Sequence, residues 1–268
     1  MVFIEPQDAP RLNAYVLTDL SAEELNSFKK AFEYGTFAPF GTMLELILKK
    51  APDDYLNRPH SYIRTRENEA GRTDPFILID EQLRLEGAVW YVDTFAADFE
   101  VDIDEPIAAS TAVLWEILVQ TEYLPISWAT YQFGNGHIHA DLDYCGVKTP
   151  VQENFKQPKV NRCDGMDLQP LRQEQTMLIM AEPGDFEKST DEEVLKGLVP
   201  PPDVAYRLKE EVAREFGVLN QWVDGIETQS REQPDGTVKE FPEGTVRLQL
   251  KPDPNVSWPP YKWPEGSL

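Results

Sequence analysis

Two short segments of the chain, residues 98–104 and 137–143, alternate acidic or histidine residues with apolar ones. Successive side chains of a strand point to opposite faces, so each segment, as a strand, places its polar side chains on one face. Imidazole together with carboxylate is typical of sites for Zn, Mn or Fe, and carboxylate alone is typical of Ca or Mg. The second segment therefore predicts a divalent-metal site. Its candidate ligands are His137, His139, Asp141 and Asp143.

A half-exposed strand whose polar face meets water is the alternative interpretation, because any such strand shows this alternation. Metal-dependent hydrolases with a His-x-His pair add a further His or Asp downstream, and that addition is missing here. Cys145 follows the pair, but a nucleophilic thiol also needs a base beside it in space. The motifs of serine hydrolases, P-loop proteins, zinc proteases and Cys-x-x-Cys proteins are absent from the sequence.

Both segments lie within residues 85–147, which contain eleven acidic residues, three of the six Trp residues and no Lys or Arg. Indole faces attract cations and stack on apolar rings, so Trp beside carboxylates predicts a pocket for a cationic or sugar-like ligand. The candidate ligand-binding residues are Trp90, Trp128, Asp102 and Asp104. The alternative is that these indoles belong to the core, and Trp115, which is in phase with neighbouring apolar residues, is assigned there.

The composition indicates a globular protein with an acidic surface. The formal charge of -22 at pH 7 disfavours nucleic acid as a partner, because phosphate is repelled. It favours a basic protein, a small cationic molecule or a divalent cation. No apolar run reaches the ~18 residues of a membrane-spanning helix, and the first residues lack the features of a secretory signal. Two cysteines are too few for a disulfide framework, so we expect a cytoplasmic protein.

Hydrophobic periodicity and turn signals predict an α+β fold with a mixed β-sheet and flanking helices. Ser21 and Glu24 have the spacing of a capping box, and Phe28 and Phe32 follow at helical spacing, which predicts a helix. The apolar run Phe76–Ile79 is typical of a strand buried on both faces. Further helices are predicted at residues 42–51, after Thr190, and at residues 203–216. Strands are predicted at residues 14–18, 61–65, 76–80, 87–92, 112–119, 176–181, 221–231 and 245–250.

The polar, irregular stretch 150–170 is the predicted boundary within the chain. Residues 12–147 form one α+β domain in this interpretation, and residues 171–268 either pack on it as an extension or continue the same domain. Residues 234–236, Pro-Asp-Gly, predict a turn. The Pro- and Trp-rich tail, residues 252–264, is expected to run extended and to dock on the body, the alternative being polyproline-type recognition by a partner.

Three short pieces of the sequence resemble a conserved family of uncharacterised fungal and bacterial domains of unknown function. They are residues 16–21 (Val-Leu-Thr-Asp-Leu-Ser), residues 74–80 (Asp-Pro-Phe-Ile-Leu-Ile-Asp), and Leu114-Trp-Glu116 leading to Phe133-Gly-Asn135. The resemblance covers residues 12–145. It implies a compact α+β domain and the beginning of a helix after Asn135, and it implies no activity. The chain departs from the family after Asn135, where a His pair replaces Met-Asp and acidic residues.

Two functions are consistent with these patterns. The first is a non-catalytic binding protein whose acidic, Trp-bearing surface faces a basic protein partner or a small cationic ligand. The second is a metal-dependent hydrolytic enzyme that uses His137, His139 and Asp141, together with an acid from residues 98–104. Neither pattern specifies a substrate or an oligomeric state.

Overall fold

The computed structural model describes residues 2–4, 9–232 and 237–268, so the predicted turn at residues 234–236 lies outside the described residues. The strands are β1 (Val2–Ile4), β2 (Arg11–Val16), β3 (Glu45–Lys50), β4 (Phe76–Ile79), β5 (Ala88–Phe95), β6 (Leu114–Gln120), β7 (Met177–Ala181), β8 (Phe186–Ser189), β9 (Ala205–Leu208), β10 (Gly225–Glu227), β11 (Ser230–Glu232), β12 (Val238–Glu240) and β13 (Val246–Leu250). The helices are α1 (Ala22–Gly35), α2 (His60–Glu69), α3 (Gln82–Glu86), α4 (Asp98–Val101), α5 (Leu124–Gln132), α6 (Ile138–Tyr144), α7 (Leu168–Gln173), α8 (Glu192–Lys196) and α9 (Glu210–Glu215).

Contacts between Cα atoms divide the chain into two compact units, each discontinuous in sequence. The larger unit consists of Ala9–Ala38, Thr42–Met166 and Tyr261–Leu268, and it contains β2 to β6 and α1 to α6. The smaller unit contains β1, Pro39–Gly41 and Asp167–Pro260. Each unit has its own β-sheet and its own apolar core. No helix in the described part of the chain is long enough and apolar enough to cross a membrane.

A mixed five-stranded sheet with the order β3-β2-β4-β5-β6 forms the centre of the larger unit, and it confirms the predicted α+β fold. β2 is parallel to β3 and β4, whereas β5 is antiparallel to β4 and β6. The pairing of β5 with β6 shifts register between Val92 and Phe95. Such an irregularity bends a strand locally and changes the direction in which its side chains point.

The middle strands of this sheet are covered on both faces, which explains their apolar sequences. All four residues of β4 are buried, as the sequence predicts. On one face, residues of α1, α5 and α6, among them Phe32, Trp128 and Leu142, belong to the same apolar cluster as the sheet. On the other face, Ile63 of α2 packs with the sheet residues Phe76 and Leu78. The sheet therefore lies between two layers of helices.

Helix α1 begins where the sequence predicts it. The Ser21 hydroxyl accepts a hydrogen bond from the Glu24 amide at 3.2 Å, and the Glu24 carboxylate accepts one from the Ser21 amide at 2.7 Å. This reciprocal pair satisfies two backbone donors that the first turn of a helix leaves unpaired. Phe28 and Phe32, one turn apart, are buried against the sheet, so the cap and the apolar stripe specify the same helix.

The helix predicted at residues 42–51 is wrong, because this segment contains strand β3. The prediction relied on the capping spacing of Thr42 and Glu45. In the structure, Leu46 and Leu48 are fully buried and alternate with more exposed residues, which is the period of a strand. Parallel pairing of β3 with β2 supplies its backbone hydrogen bonds, and this tertiary pairing outweighs the local capping signal.

The strand predicted at residues 61–65 is also wrong, because these residues lie in α2. The helix begins directly after Pro59, a residue type that is well tolerated at the start of a helix. Ile63 and Glu67 are buried and stand four residues apart, so one face of the helix is turned inward. The buried face carries a carboxylate, which is why the segment lacks a recognisable apolar stripe.

The buried carboxylate of Glu67 is held by a complete set of donors. It accepts hydrogen bonds from the Tyr15 hydroxyl at 3.0 Å, from the Tyr55 hydroxyl, and from Nε and Nη2 of Arg72 at 2.7 and 2.6 Å. Burial raises the pKa of Glu67, but the hydrogen bonds from Arg72, Tyr55 and Tyr15 together lower it by more. The pKa of Glu67 therefore lies below its ordinary value. Burial, together with the hydrogen bond to Glu67 and the charge of that carboxylate, raises the pKa of Tyr55 to about 12.

The smaller unit is built on an antiparallel sheet with the order β1-β7-β13-β10 and on the hairpin β8-β9. The helix predicted at residues 203–216 is wrong, because strand β9 occupies its first half and only the short helix α9 follows. Ala205 and Leu208 of β9 are buried in the core of this unit, so pairing with β8 decides the conformation. A short helix follows Thr190 as predicted, but its cap is the Asp191 side chain, which accepts from the Glu193 amide.

The end of the tail docks on the larger unit, as expected. The Trp263 ring lies 5.5 Å from Phe32 and 6.4 Å from Phe28 between ring centroids. Its indole N–H donates to the Glu33 carboxylate at 2.8 Å. A Trp whose ring is packed and whose N–H has an acceptor is held in one position. Trp263 is therefore packed as part of the larger unit.

We predict that Ser21→Ala lowers the free energy of unfolding by about 1 kcal/mol, because the side-chain half of the capping box is lost. Urea denaturation measures the change. Ser27→Ala is the matched control, since Ser27 lies exposed within the same helix and Ala is the better helix former there. Equal destabilisation by both substitutions would contradict the capping role.

We predict that Glu67→Gln lowers the free energy of unfolding by about 2–4 kcal/mol near neutral pH, because it removes the charge that pairs with Arg72 and one acceptor oxygen. The control is Glu69→Gln on the exposed face of the same helix, for which we expect a change below about 0.5 kcal/mol. The pKa of Glu67 is lowered by folding, so its contribution is present above the unfolded-state pKa of about 4.3 and lost as pH falls through the folded-state value. The two proteins should accordingly converge in stability on acidification.

Candidate functional site

A cavity of about 320 Å³ lies where β5 ends and β6 begins, within the larger unit. We call it the site cavity. Two carboxylates, two imidazoles and four further aromatic rings line it, and no Lys or Arg does so among the described residues. Its polar and aromatic lining residues are Asp93, Glu100, His137, His139, Phe95, Phe99, Trp115 and Tyr131.

Asp93 is placed in the cavity by the irregular end of β5. It lies inside the register shift between Val92 and Phe95, where the strand departs from regular pairing with β6. Burial of its carboxyl raises the pKa above its ordinary value, and the charge of Glu100 acts in the same direction. The Thr94 amide and the charge of Arg64 lower it by less. The Asp93 carboxyl is thus partly shielded from water, and the effect of burial outweighs that of the groups that favour its charge.

Glu100 is positioned by a helix that the sequence did not predict. Residues 98–104 are not the expected strand, because Asp98–Val101 form the single-turn helix α4. The Glu100 carboxylate accepts from the Ala97 amide at 2.7 Å, which closes this turn, and from the Trp115 indole N–H at 3.0 Å. The helical turn brings only one acid of the segment to the cavity in this way.

Asp102 and Asp104, predicted as ligand-binding residues, are exposed and are not among the residues that line the site cavity. They follow α4 in a bend rather than continuing a strand, so no shared face aligns them with Glu100. The alternation of acids with Phe and Ile in this segment therefore reflects a short helix followed by a solvated loop. The signal for Glu100 is its spacing from Ala97, three residues earlier, which suits the closing of a first helical turn.

The two histidines share the cavity. His137 occupies the N-cap position of helix α6 without a capping hydrogen bond from its side chain, and His139 lies in the first turn. Residues 137–143 are therefore not the predicted strand; the family resemblance implies the beginning of a helix here. The two rings stack with 5.2 Å between centroids and 9° between planes, and the His139 ring lies 6.2 Å from Trp115. Burial lowers the pKa of His139, and the neighbouring His137 lowers it further. The shift favours the neutral form of the His139 imidazole, although the charge of Glu100 acts weakly in the opposite direction.

Asp141 and Asp143 do not join the histidines. Asp141 accepts hydrogen bonds from the Tyr131 hydroxyl at 2.5 Å and from the Asn161 amide at 2.9 Å, which tie α6 to α5 and to the edge of β6. Asp143 is exposed. Across the described ranges, no three His, Cys, Asp or Glu side chains are grouped so that they could hold a metal ion. The predicted ligand set is therefore not assembled in this structure.

The indole in the site cavity belongs to Trp115, which the sequence assigns to the core, and not to Trp90 or Trp128. Trp115 is indeed buried, but it is among the residues that line the cavity. Trp90 packs on the opposite face of the sheet and donates to Asp80 at 3.2 Å. Trp128 is buried in the core against Phe133. Period-two alternation along β5 and β6 separates Trp90 from Trp115, because paired strands present these residues to opposite faces.

A second, smaller cavity of about 190 Å³ is lined by His60 and Glu116 on the α2 face of the sheet. The His60 Nδ1 lies 2.6 Å from the Glu116 carboxylate, and both side chains are largely buried. Burial lowers the pKa of His60, but the hydrogen bond and charge of Glu116 raise it more, so the net shift is upward. This pair links the first residue of α2 to β6. It accounts for His60, the histidine outside residues 85–147, as a partner of Glu116.

Comparison of the chain with models of protein families, with curated protein sequences and with solved structures gives no match. Inferences about the site cavity accordingly rest on its own geometry and chemistry. The resemblance to a family of uncharacterised fungal and bacterial domains stays a prediction.

We predict that Asp141→Ala destabilises the protein by about 1–3 kcal/mol, because the Tyr131 hydroxyl and the Asn161 amide lose a buried acceptor. Asp143→Ala, two residues along the same helix and exposed, should change stability by less than about 0.5 kcal/mol. Chemical denaturation monitored by Trp fluorescence measures both. An equal effect of the two substitutions would instead favour the strand predicted from the sequence, in which Asp141 and Asp143 lie on the same face.

Proposed function

We propose that the protein binds a small cationic ligand in the site cavity and that it acts by binding and not by catalysis. The observation that carries the proposal is the lining itself, in which Asp93 and Glu100 face a concave space walled by aromatic rings, with no Lys or Arg of the described chain among the lining residues. Convergent polar groups in a mainly apolar concavity are the usual composition of a ligand pocket.

The electrostatics of the cavity favour a cation. Burial is the main cause of the raised pKa of Asp93, and the charge of Glu100 adds a smaller contribution in the same direction, so the ionised Asp93 carboxylate is unfavourable as it stands. A cation placed beside the two carboxylates would stabilise their ionised forms. Aromatic faces add attraction, because the negative face of an indole or phenyl ring stabilises a nearby positive charge. Each feature of the lining supports the same sign of ligand charge.

The size of the cavity favours a small molecule or a single inserted side chain over a broad protein surface. Ligand pockets in proteins commonly have volumes of about 300–1,000 Å³, and the site cavity, at about 320 Å³, is at the lower end. A divalent metal, also considered from the sequence, fits less well, because no three His, Cys, Asp or Glu side chains of the described residues are grouped to hold one. A basic protein partner fits if it inserts one side chain to reach Asp93.

The second function predicted from the sequence, that of a metal-dependent hydrolase, stays a prediction. One observation favours it, the close pair of His137 and His139 in the site cavity. Its third ligand, Asp141, is engaged by Tyr131 and Asn161. Elemental analysis of protein purified without chelator, repeated on the His137→Ala/His139→Ala double variant, tests it. Stoichiometric metal that is lost in the double variant would favour the enzyme over the binding protein.

We predict that organic cations bind and that their neutral isosteres do not. Suitable pairs are methylguanidinium with N-methylurea, ethylammonium with ethanol, and tetramethylammonium with tert-butanol, each titrated calorimetrically at fixed ionic strength. Asp93→Asn should weaken binding about tenfold or more, the loss expected for a charge-assisted hydrogen bond of about 1.5–3 kcal/mol. Asp102→Asn is the control, since it removes the same charge from an exposed position outside the cavity.

The pH dependence follows from the raised pKa of Asp93. Affinity for the cation should rise with pH above about 4, the ordinary range of a carboxyl group, and level off once Asp93 is fully ionised. Added salt should weaken the binding of the cation only moderately, because the Asp93 and Glu100 carboxylates are partly shielded from solvent. Equal binding of cations and neutral isosteres, or binding unchanged in Asp93→Asn, would refute the proposal.

A further inference from the structure

The walls and charges of the site cavity distinguish among the kinds of cation that fit it. Six rings, four of them carbocyclic or indole and two imidazole, offer flat faces, while Asp93 and Glu100 offer carboxylate oxygens. We propose that the cationic group of the ligand is a guanidinium. This inference rests on the proposed function, and it narrows the ligand class from organic cations in general to one planar, hydrogen-bonding cation.

Glu100 presents its carboxylate in a fixed plane. Oε2 accepts from both the Ala97 amide at 2.7 Å and the Trp115 indole at 3.0 Å, and Oε1 takes no part in those two bonds. Two donors on one oxygen prevent the carboxylate from rotating to suit a mobile ligand. A group with parallel, coplanar N–H donors matches such a carboxylate, and guanidinium is the biological cation with that geometry.

A quaternary ammonium ion can contact the aromatic rings of the cavity wall, but it donates no hydrogen bond to the carboxylates. It has no N–H, so the desolvated Asp93 would face it without a hydrogen bond. A carboxylate that is shielded from water and receives no donor from the ligand weakens the binding of that ligand. Sites for quaternary ammonium rely on an aromatic cage, whereas this cavity has two acids among its lining residues.

A primary ammonium ion can donate hydrogen bonds to the carboxylates, but it gains little binding energy from the aromatic rings of the cavity wall. Its charge is compact and strongly hydrated, so entry into a cavity walled largely by rings requires the loss of most of its water. Guanidinium is more weakly hydrated, and its flat faces stack on aromatic rings while its edges donate hydrogen bonds. The edges would meet Asp93 and Glu100, and one face would meet the ring of Trp115 or of the neighbouring His139.

A guanidinium group can come from two sources, a free guanidino compound or an Arg side chain of another protein. Both fit the volume, because the cavity of about 320 Å³ opens to solvent beside the exposed Phe99. They differ in what surrounds the guanidinium. A free amino acid carries a carboxylate that the acidic surroundings would repel, and a side chain within a peptide does not.

The test uses the indole N–H signals of the intact protein in ¹⁵N-correlated NMR spectra. Trp115 is the reporter, since its N–H donates to Glu100, and its signal is assigned with Trp115→Phe. Trp90 and Trp128 serve as internal controls, because neither lines the site cavity. The probes are methylguanidinium, ethylammonium and tetramethylammonium chlorides at equal ionic strength. L-arginine and acetyl-Gly-Arg-Gly-amide then identify the source.

We expect methylguanidinium to shift the Trp115 signal saturably, with a dissociation constant at least fivefold lower than those of the other two cations, and to leave Trp90 and Trp128 unmoved. Tighter binding of the peptide than of L-arginine would support an Arg side chain as the ligand, and the reverse order would support a free guanidino compound. Equal or weaker binding of methylguanidinium would overturn the guanidinium inference while leaving the cation-binding function intact. If no cation moves the Trp115 signal, both are wrong.

Two variants separate loss of the site from loss of the fold. Glu100→Gln keeps an acceptor for the Trp115 N–H and removes the charge, so it should weaken methylguanidinium binding at least fivefold while the spectrum stays dispersed. Asp102→Asn, close in sequence and outside the cavity, should bind as the unchanged protein does. Binding that survives Glu100→Gln with the same preference among cations would count against the assignment.

Discussion

Burial on both faces of β4, β5 and β6 is the constraint on which the rest of the larger unit depends. A strand covered by helices on both sides accommodates apolar residues along its length, so polar side chains gather where regular pairing stops. Asp93 stands at such a point, inside the register shift at the end of β5, and Trp115 stands opposite, near the beginning of β6. The site cavity lies at this irregularity, since β5 and β6 pair again beyond it at Phe95 and Leu114, and Glu100 of the one-turn helix α4 lines the cavity together with Asp93 and Trp115.

The carboxylates of Glu67 and Asp93, both in the larger unit, have pKa values shifted in opposite directions. Glu67 is surrounded by two Tyr hydroxyls and by Arg72, and its pKa is lowered in spite of burial. Asp93 has the Thr94 amide and a more distant Arg64, and its pKa is raised. The hydrogen bonds and the ion pair of Glu67 outweigh the effect of its burial, whereas the groups that favour the charge of Asp93 do not. This contrast is the reason that Asp93, and not Glu67, enters the proposed ligand site.

Sequence patterns predict the elements in which local and tertiary signals agree. The capping box at Ser21 and the apolar run of β4 are of this kind, since the same residues make the local structure and the core. The patterns fail in residues 98–104 and 137–143, where alternation indicates strands and one- or two-turn helices form instead. Helices this short show too few turns for a period of 3.6 to differ from a period of 2. Trp115 was placed correctly in the core, but nothing in the sequence shows that its N–H needs Glu100 as an acceptor.

The net charge of the chain and the charge of the site cavity have different physical consequences. Most acids of residues 85–147, among them Asp98, Asp102, Asp104 and Asp143, are exposed, and they act as solvated surface that salt screens. Their combined field raises the local concentration of any cation without selecting one. Selection requires acids that are partly withdrawn from water and held in place, and in the site cavity the pKa of Asp93 is raised mainly by burial while the Trp115 N–H holds Glu100. Under the proposed function, specificity would rest on these two positioned carboxylates between aromatic rings, and the large formal charge would serve mainly to bring cations to them.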